Sequence, residues 1–297
     1  MSSLSDNELP AYFIEADKTS MEAQRKTLLL NRLRLIGAVA AAIGGAFSFT
    51  RGVVDPWAII SLGGFLLALT AEVFITQGRY EKSWYQARAG AESVKTLSWR
   101  YAVGADPFFL DLPSQEAERL FQERVSQVMS QLSETVPPPV GDGSEPTPRM
   151  KALRSSPIAT RRNVYLRDRN QKQRDWYSEK SKFNETASRN LRIFLIVAEV
   201  IAVVLAAGRA FNTWSIDFAG ILAALIGAAA TWLALKQHTT LRTAYALTSA
   251  ELQKQSISLK SVNDEDWPTS VADAEEAISR EHTMWLASRG EVNERID

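Results

Sequence analysis

The sequence predicts an all-α membrane protein of two tandem transmembrane hairpins, four spans in total, with long cytoplasmic helices forming a stalk or bundle. Three observations predict it. The apolar residues are concentrated in four blocks grouped in two pairs, the cations gather on one side of those pairs, and the whole layout recurs at an offset of 157 to 159 residues.

The blocks are 35–50, 57–76, 193–208 and 216–235. At about 1.5 Å of rise per residue, the two 20-residue blocks match a hydrocarbon core of about 30 Å. The two 16-residue blocks reach only about 24 Å, so Arg34 and Arg192 are expected to snorkel to the headgroups and complete those spans. The first block is retained as a span rather than read as a cleaved leader. A polar stretch of 34 residues precedes it, and a second span follows six residues later.

Orientation follows from Lys and Arg near the span ends. Lys18, Arg25, Lys26, Arg32 and Arg34 precede the first span, and Arg79, Lys82, Arg88 and Lys95 follow the second. Arg174, Lys180, Lys182, Arg189 and Arg192 precede the third, and Lys236, Arg242 and Lys254 follow the fourth. The hairpin loops 51–56 and 209–215 hold one cation each, Arg51 and Arg209. The positive-inside rule then places both termini and the long central segment of this multi-pass chain in the cytoplasm. Trp57 and Trp214 are expected at the outer interface, which favours indole rings.

The repeat extends past the spans, because Tyr85-Gln-Ala-Arg-Ala-Gly-Ala-Glu92 lines up loosely with Tyr245-Ala-Leu-Thr-Ser-Ala-Glu251. An even number of spans per unit keeps both copies in the same orientation, which excludes an inverted-repeat plan. The expected domains are 1–135 and 151–297. Between them, residues 136–150 form a linker whose prolines and glycines favour an extended, flexible chain.

The remaining segments read as helices. Residues 77–100 and 236–262 carry no proline and are expected to continue from their spans. Leu120, Phe121, Val125, Val128 and Leu132 share one face of a helix beginning near Pro113. A last helix begins at Pro268, with Val271, Ala274, Ile278, Met284 and Trp285 as its apolar stripe. Each stripe is expected to pack on the helices leaving the membrane, giving one bundle per hairpin.

Composition excludes several functions. There is no cysteine, hence no disulfide, thiolate metal site or Cys nucleophile. The only histidines, His238 and His282, lie in unrelated contexts, so no metal site is expected. Lys+Arg and Asp+Glu both number 34, without the basic excess of a nucleic-acid binder. Glu275, Glu276 and Glu281 read as a polar helix face, and no catalytic arrangement, Walker A loop or dinucleotide fingerprint is present, so neither enzymatic activity nor a cofactor is expected.

Three sets of residues are candidates for function. Ionisable groups inside spans cost about 2.5–3.5 kcal/mol at the bilayer centre on insertion scales, which singles out Glu199 and Glu72. They line a conduit, make an interhelical hydrogen bond, or stand as protonated carboxyls. Small residues at four-residue spacing, Gly37, Ala41 and Gly45 in the first span and Gly220, Ala224 and Ala228 in the fourth, favour close helix packing within one chain or between copies. The basic run from Arg161 to Arg174 reads as a solvated face near anionic lipid. The alternative is that Arg161, Arg162, Arg167 and Arg169 grip an anion such as a nucleotide second messenger.

A two-span hairpin, a long following helix and a terminal motif together resemble the SLATT domains, two-transmembrane modules of bacterial conflict systems that overlap DUF4231. The motif in the first half is Trp99-Arg-Tyr-Ala-Val-Gly-Ala-Asp-Pro-Phe108, followed by Glu116 to Phe121. In the second half it is Arg280, Glu281, His282 and Trp285. The resemblance implies a membrane effector that forms a pore or perturbs the bilayer once a nucleotide signal or a sensor protein reports infection. A pore would require a homo-oligomer, because four helices of one chain hardly enclose an aqueous path. The other reading is a non-conducting membrane scaffold or sensor for a soluble partner.

Overall fold

A computed structural model describes residues 4–47, 55–141 and 143–287, with side chains described up to Ser279. Ten α-helices account for most of the described chain, and no strand occurs among the described residues: α1 (Ala11–Ala46), α2 (Pro56–Gly78), α3 (Tyr80–Val103), α4 (Ser114–Gln131), α5 (Pro148–Arg154), α6 (Ile158–Val164), α7 (Lys172–Ala210), α8 (Phe218–Lys236), α9 (His238–Ser261) and α10 (Trp267–Ala287). A seven-residue π-helical stretch, Tyr165–Gln171, joins α6 to α7. Each expected span overlaps a helix long and apolar enough to cross a membrane, although α1 ends at Ala46 and α8 begins at Phe218. Arg51 and the end of the first span at Thr50 lie outside the described residues, as do the side chains of Arg280, Glu281, His282, Met284 and Trp285.

The helices following the spans do not continue them. A single residue with left-handed backbone interrupts each, Arg79 (φ 44°) after α2 and Gln237 (φ 48°) after α8. Left-handed caps usually fall on glycine, because a Cβ is disfavoured there, and neither position carries the usual residue. The two breaks are 158 residues apart, the offset of the sequence repeat.

The chain divides into two compact units. One comprises Gln24–Tyr80 and Ser181–Thr243 and contains the apolar parts of the spans. Its α1–α2 contact is backbone against backbone: a Cβ on Gly37 would lie 2.6 Å from the Gly64 carbonyl oxygen, and one on Gly44 would lie 2.5 Å from the Ser61 nitrogen. Ser61 Oγ donates to the Ala41 carbonyl at 3.0 Å across the same contact. Asp55 accepts from the Trp57 and Ala58 amides to start α2, and Asp217 accepts from the Gly220 amide to start α8. Asp217 also pairs with Arg209 at 2.6 Å across the second hairpin loop.

The other unit comprises the chain up to Ala23, Glu81–Lys180 and the chain from Ala244. Where one bundle per hairpin was expected, both halves build one core. Tyr12, Ala91, Val94, Trp99, Tyr101, Phe121 and Val125 from the first half share it with Tyr165, Leu259, Trp267, Val271 and Ala274 from the second. Merging the two halves removes the apolar stripes of both from water. Of the expected linker 136–150, residues 148–150 instead open α5, and described residues before them are docked rather than free. Val136 is in the core, the Tyr12 amide donates to the Gly143 carbonyl, and Thr147 Oγ1 donates to the Glu8 carbonyl at 2.7 Å.

Candidate functional site

In the unit holding the spans, Glu199 is exposed on α7 and has no hydrogen-bond or ion-pair partner among the described residues. Its neighbours Ile196, Val197, Val200 and Ile201 are exposed as well, and α8 has no buried residue. Glu72 is different: it accepts from Arg34 at 2.8 Å, so it takes the interhelical role. Arg34, expected to reach for headgroups, spends its charge on that pair. Arg192 likewise donates to Thr239 Oγ1 at 3.1 Å.

The small-residue ridges are corrected in register. Gly37 and Ala41 are buried against α2, but Gly44 and not Gly45 completes the contact; Gly45 is exposed with open space beside it. In a helix, a continuous seam follows i, i+4, i+7 as readily as i, i+4, i+8, and packing chose the former. Gly220, Ala224 and Ala228 are only half-buried, and a Cβ on Gly220 would meet nothing but its own capping Asp217.

In the other unit two cations of the basic run, Arg161 and Arg169, are buried, whereas Arg167 and Lys172 are exposed. The C-terminus of α3 ends in a Schellman turn, with the Ala105 amide bonding the Arg100 carbonyl, the Gly104 amide bonding the Tyr101 carbonyl, and Gly104 left-handed at φ 72°. The last carbonyls of a helix lack partners within it and carry partial negative charge. Arg161 meets this one by donating to the Val103 carbonyl at 2.7 Å, and Arg154 by donating to that of Tyr101; Arg154 also donates to the Phe108 and Phe109 carbonyls in the turn that follows. The Trp99–Phe108 motif is therefore a joint: an aromatic core strip followed by a turn whose carbonyls two arginines hold. The Asp106 amide also bonds the Pro268 carbonyl, tying this joint to the start of α10.

Arg169 goes deeper. It is 2% exposed and Glu275 is 0% exposed, and they form a two-pronged ion pair, Nη2 to Oε2 at 2.7 Å and Nε to Oε1 at 2.9 Å. Tyr165 donates its hydroxyl to Oε1 at 2.9 Å and Thr96 donates to Oε2 at 3.0 Å. The Glu275 charge raises the Arg169 pKa against the opposing effect of burial, while burial and then the Glu275 charge push the Tyr165 hydroxyl well above its ordinary value. The π-helical stretch turns Tyr165, Asp168, Arg169 and Asn170 inward together. Arg162 stacks over the Trp267 ring and pairs with Asp264, and Arg167 pairs with Asp168. The four arginines proposed as an anion grip are thus divided among separate internal partners. A solvated face is equally excluded for Arg161 and Arg169, whose charges are needed by a helix end and a buried carboxylate. Glu276 is exposed, as a polar face requires, but Glu275, its neighbour, is the buried acid that sequence alone assigned to that face.

The comparison with known families fits this arrangement. The family model described as SMODS and SLOG-associating 2TM effector domain 3 matches residues 10–162. The model described as SMODS and SLOG-associating 2TM effector domain 1 matches residues 165–285. The chain belongs to the SLATT family. It carries two tandem SLATT domains, each with two helices apolar and long enough to span, in a multi-pass membrane protein. SLATT domains are effector domains of bacterial conflict systems. No curated protein and no solved structure matches the chain. The buried network joins the two matched regions, with Thr96 in the first and Tyr165, Arg169 and Glu275 in the second.

Proposed function

We propose that this tandem SLATT protein is a pore-forming or membrane-perturbing effector of the bacterial inner membrane. It acts as a homo-oligomer without catalysis, with both termini in the cytoplasm, and is released by a cytoplasmic trigger. The observation that carries this reading is Glu199. A carboxylate facing lipid costs about 2.5–3.5 kcal/mol near mid-span, and Glu199 has no partner within its own chain among the described residues. A second copy packed on the exposed α7 and α8 faces would supply a polar, water-lined setting for that carboxylate and a cation preference for the conduit. Because Arg161 and Arg169 are spent on internal partners, a nucleotide gripped by the basic run is disfavoured, and a sensor protein is the better-supported trigger.

The test is membrane potential in bacteria after induced expression, alone and with the neighbouring genes that would encode the trigger. Depolarisation by the wild type that is abolished or altered in its ion dependence by Glu199→Ala is the expected result. Equal depolarisation by both proteins would remove Glu199 from the conduit. An intact potential with stable capture of a soluble protein would replace the effector reading with the scaffold.

A further inference from the structure

Arg32 lies three residues before the first apolar block and Lys236 one residue after the fourth, so both charges stand at the level where hydrocarbon gives way to headgroups. They meet on one ring. The Arg32 guanidinium and the Lys236 ammonium each lie 5.2 Å from the centroid of Trp232, whose indole belongs to the last turns of α8. Among the described residues neither cation has a carboxylate partner. The nearby acids of the same unit are committed elsewhere, Glu72 to Arg34 and Glu185 to Arg242. His238 just beyond makes its contact with Asn184.

Two like charges gathered on one aromatic ring repel each other, and a cation on an indole face gains only about 0.5–2 kcal/mol, depending on how far it is desolvated. An anion between them would convert the repulsion into two charge-assisted contacts, and Arg and Lys are the usual donors to phosphate oxygens. The ring suggests the source of the anion: Trp232 lies in the last turn of the apolar block, the interfacial belt that indoles favour, which is the depth of lipid phosphates.

We propose that Arg32, Lys236 and Trp232 form a binding site for the phosphodiester of an anionic phospholipid, seated between the first and fourth spans. Arg32 and Lys236 hold the phosphate oxygens while the indole packs on the glycerol and upper acyl carbons. The site shares no residue with Glu199, so it stands or falls apart from the proposed conduit.

The experiment uses the full-length protein in neutral detergent, with retained lipid read by native mass spectrometry after titration of phosphatidylglycerol or phosphatidylcholine. Phosphatidylglycerol should be retained in preference to phosphatidylcholine. Arg32→Gln, a change at an exposed position, should weaken retention about tenfold, and adding Lys236→Gln should weaken it about tenfold more, from the loss of hydrogen bonds to a charged group. The charge-keeping pair Arg32→Lys with Lys236→Arg should keep most of the preference. Equal retention by wild type and both Gln variants, or no preference between the two lipids, would overturn the site. Displacement of the lipid by millimolar inorganic phosphate would overturn the lipid assignment in favour of a soluble anion.

Discussion

Replacing Glu275 with leucine is expected to be among the most damaging single changes outside the spans. The carboxylate accepts from Arg169 through two nitrogens and from the hydroxyls of Tyr165 and Thr96, all in a site with essentially no solvent contact. Removing it leaves a buried guanidinium without its counter-charge and two hydroxyls without an acceptor. Breaking a buried pair in this way costs about 3–5 kcal/mol, a large share of the 5–15 kcal/mol typical of a domain. At about 2–4 °C per kcal/mol for a unit of this size, the melting temperature should fall by roughly 6–20 °C. Intrinsic fluorescence during a thermal ramp of the full-length protein in detergent is a suitable assay. Trp99 and Trp267 both pack edge-on against Tyr165, with ring centroids 5.9 Å away, and so report on this site. Glu276→Leu, one residue along and exposed, is the control. The double change Arg169→Met with Glu275→Leu should recover a substantial part of the loss, since it removes the stranded charge. A Glu275→Leu protein that melts with the Glu276→Leu protein would refute the reasoning, because it would mean that Arg169 finds water or another partner without cost.

The remaining predictions concern the α1–α2 seam and the alkaline limb of stability. Gly37→Val and Gly64→Val each drive a side chain into opposing backbone and should destabilise by about 1–3 kcal/mol, whereas Gly45→Val should be near neutral; susceptibility of the detergent-solubilised protein to limited proteolysis orders the three, and equal susceptibility would discard the seam. The folded-state pKa of Tyr165 is raised well above its ordinary value of 10.0, and that of Tyr101 is pushed up to about 12 by burial and the Glu118 charge. An acid whose folded pKa is raised contributes stability fully present below its unfolded pKa and lost as pH rises, so unfolding midpoints should decline from about pH 10 upward. Tyr165→Phe removes one such group and should flatten the decline; an unchanged slope would show that Tyr165 ionises freely in the native state.

Much of this protein was legible in one dimension. Hydropathy located the four spans because a membrane helix needs a continuous apolar run, and no tertiary contact can substitute for it. The 3.6-residue period located α4, with Ala117, Phe121 and Val125 buried and Leu120, Val128 and Leu132 beside them. The turn that ends the Trp99–Phe108 motif is itself local, a helix end closed by Gly104, although the arginines that hold its carbonyls come from far along the chain. Contacts between segments distant in sequence were decided by the folded chain alone. Charge in a sequence carries no record of its counter-charge, so Arg169 and Glu275, 106 positions apart, read as surface residues until packing joined them. Periodicity could not separate Gly44 from Gly45 as the contact residue, since both lie within a helical stripe and only the neighbouring backbone distinguishes them. The left-handed positions at Arg79 and Gln237 are not themselves glycine, and the shared core of the two halves depends on stripes that each look self-sufficient in isolation. The sequence by itself determined where the chain can cross a membrane; tertiary structure decided which charges are buried and which remain available, because desolvation depends on neighbours that only the fold supplies.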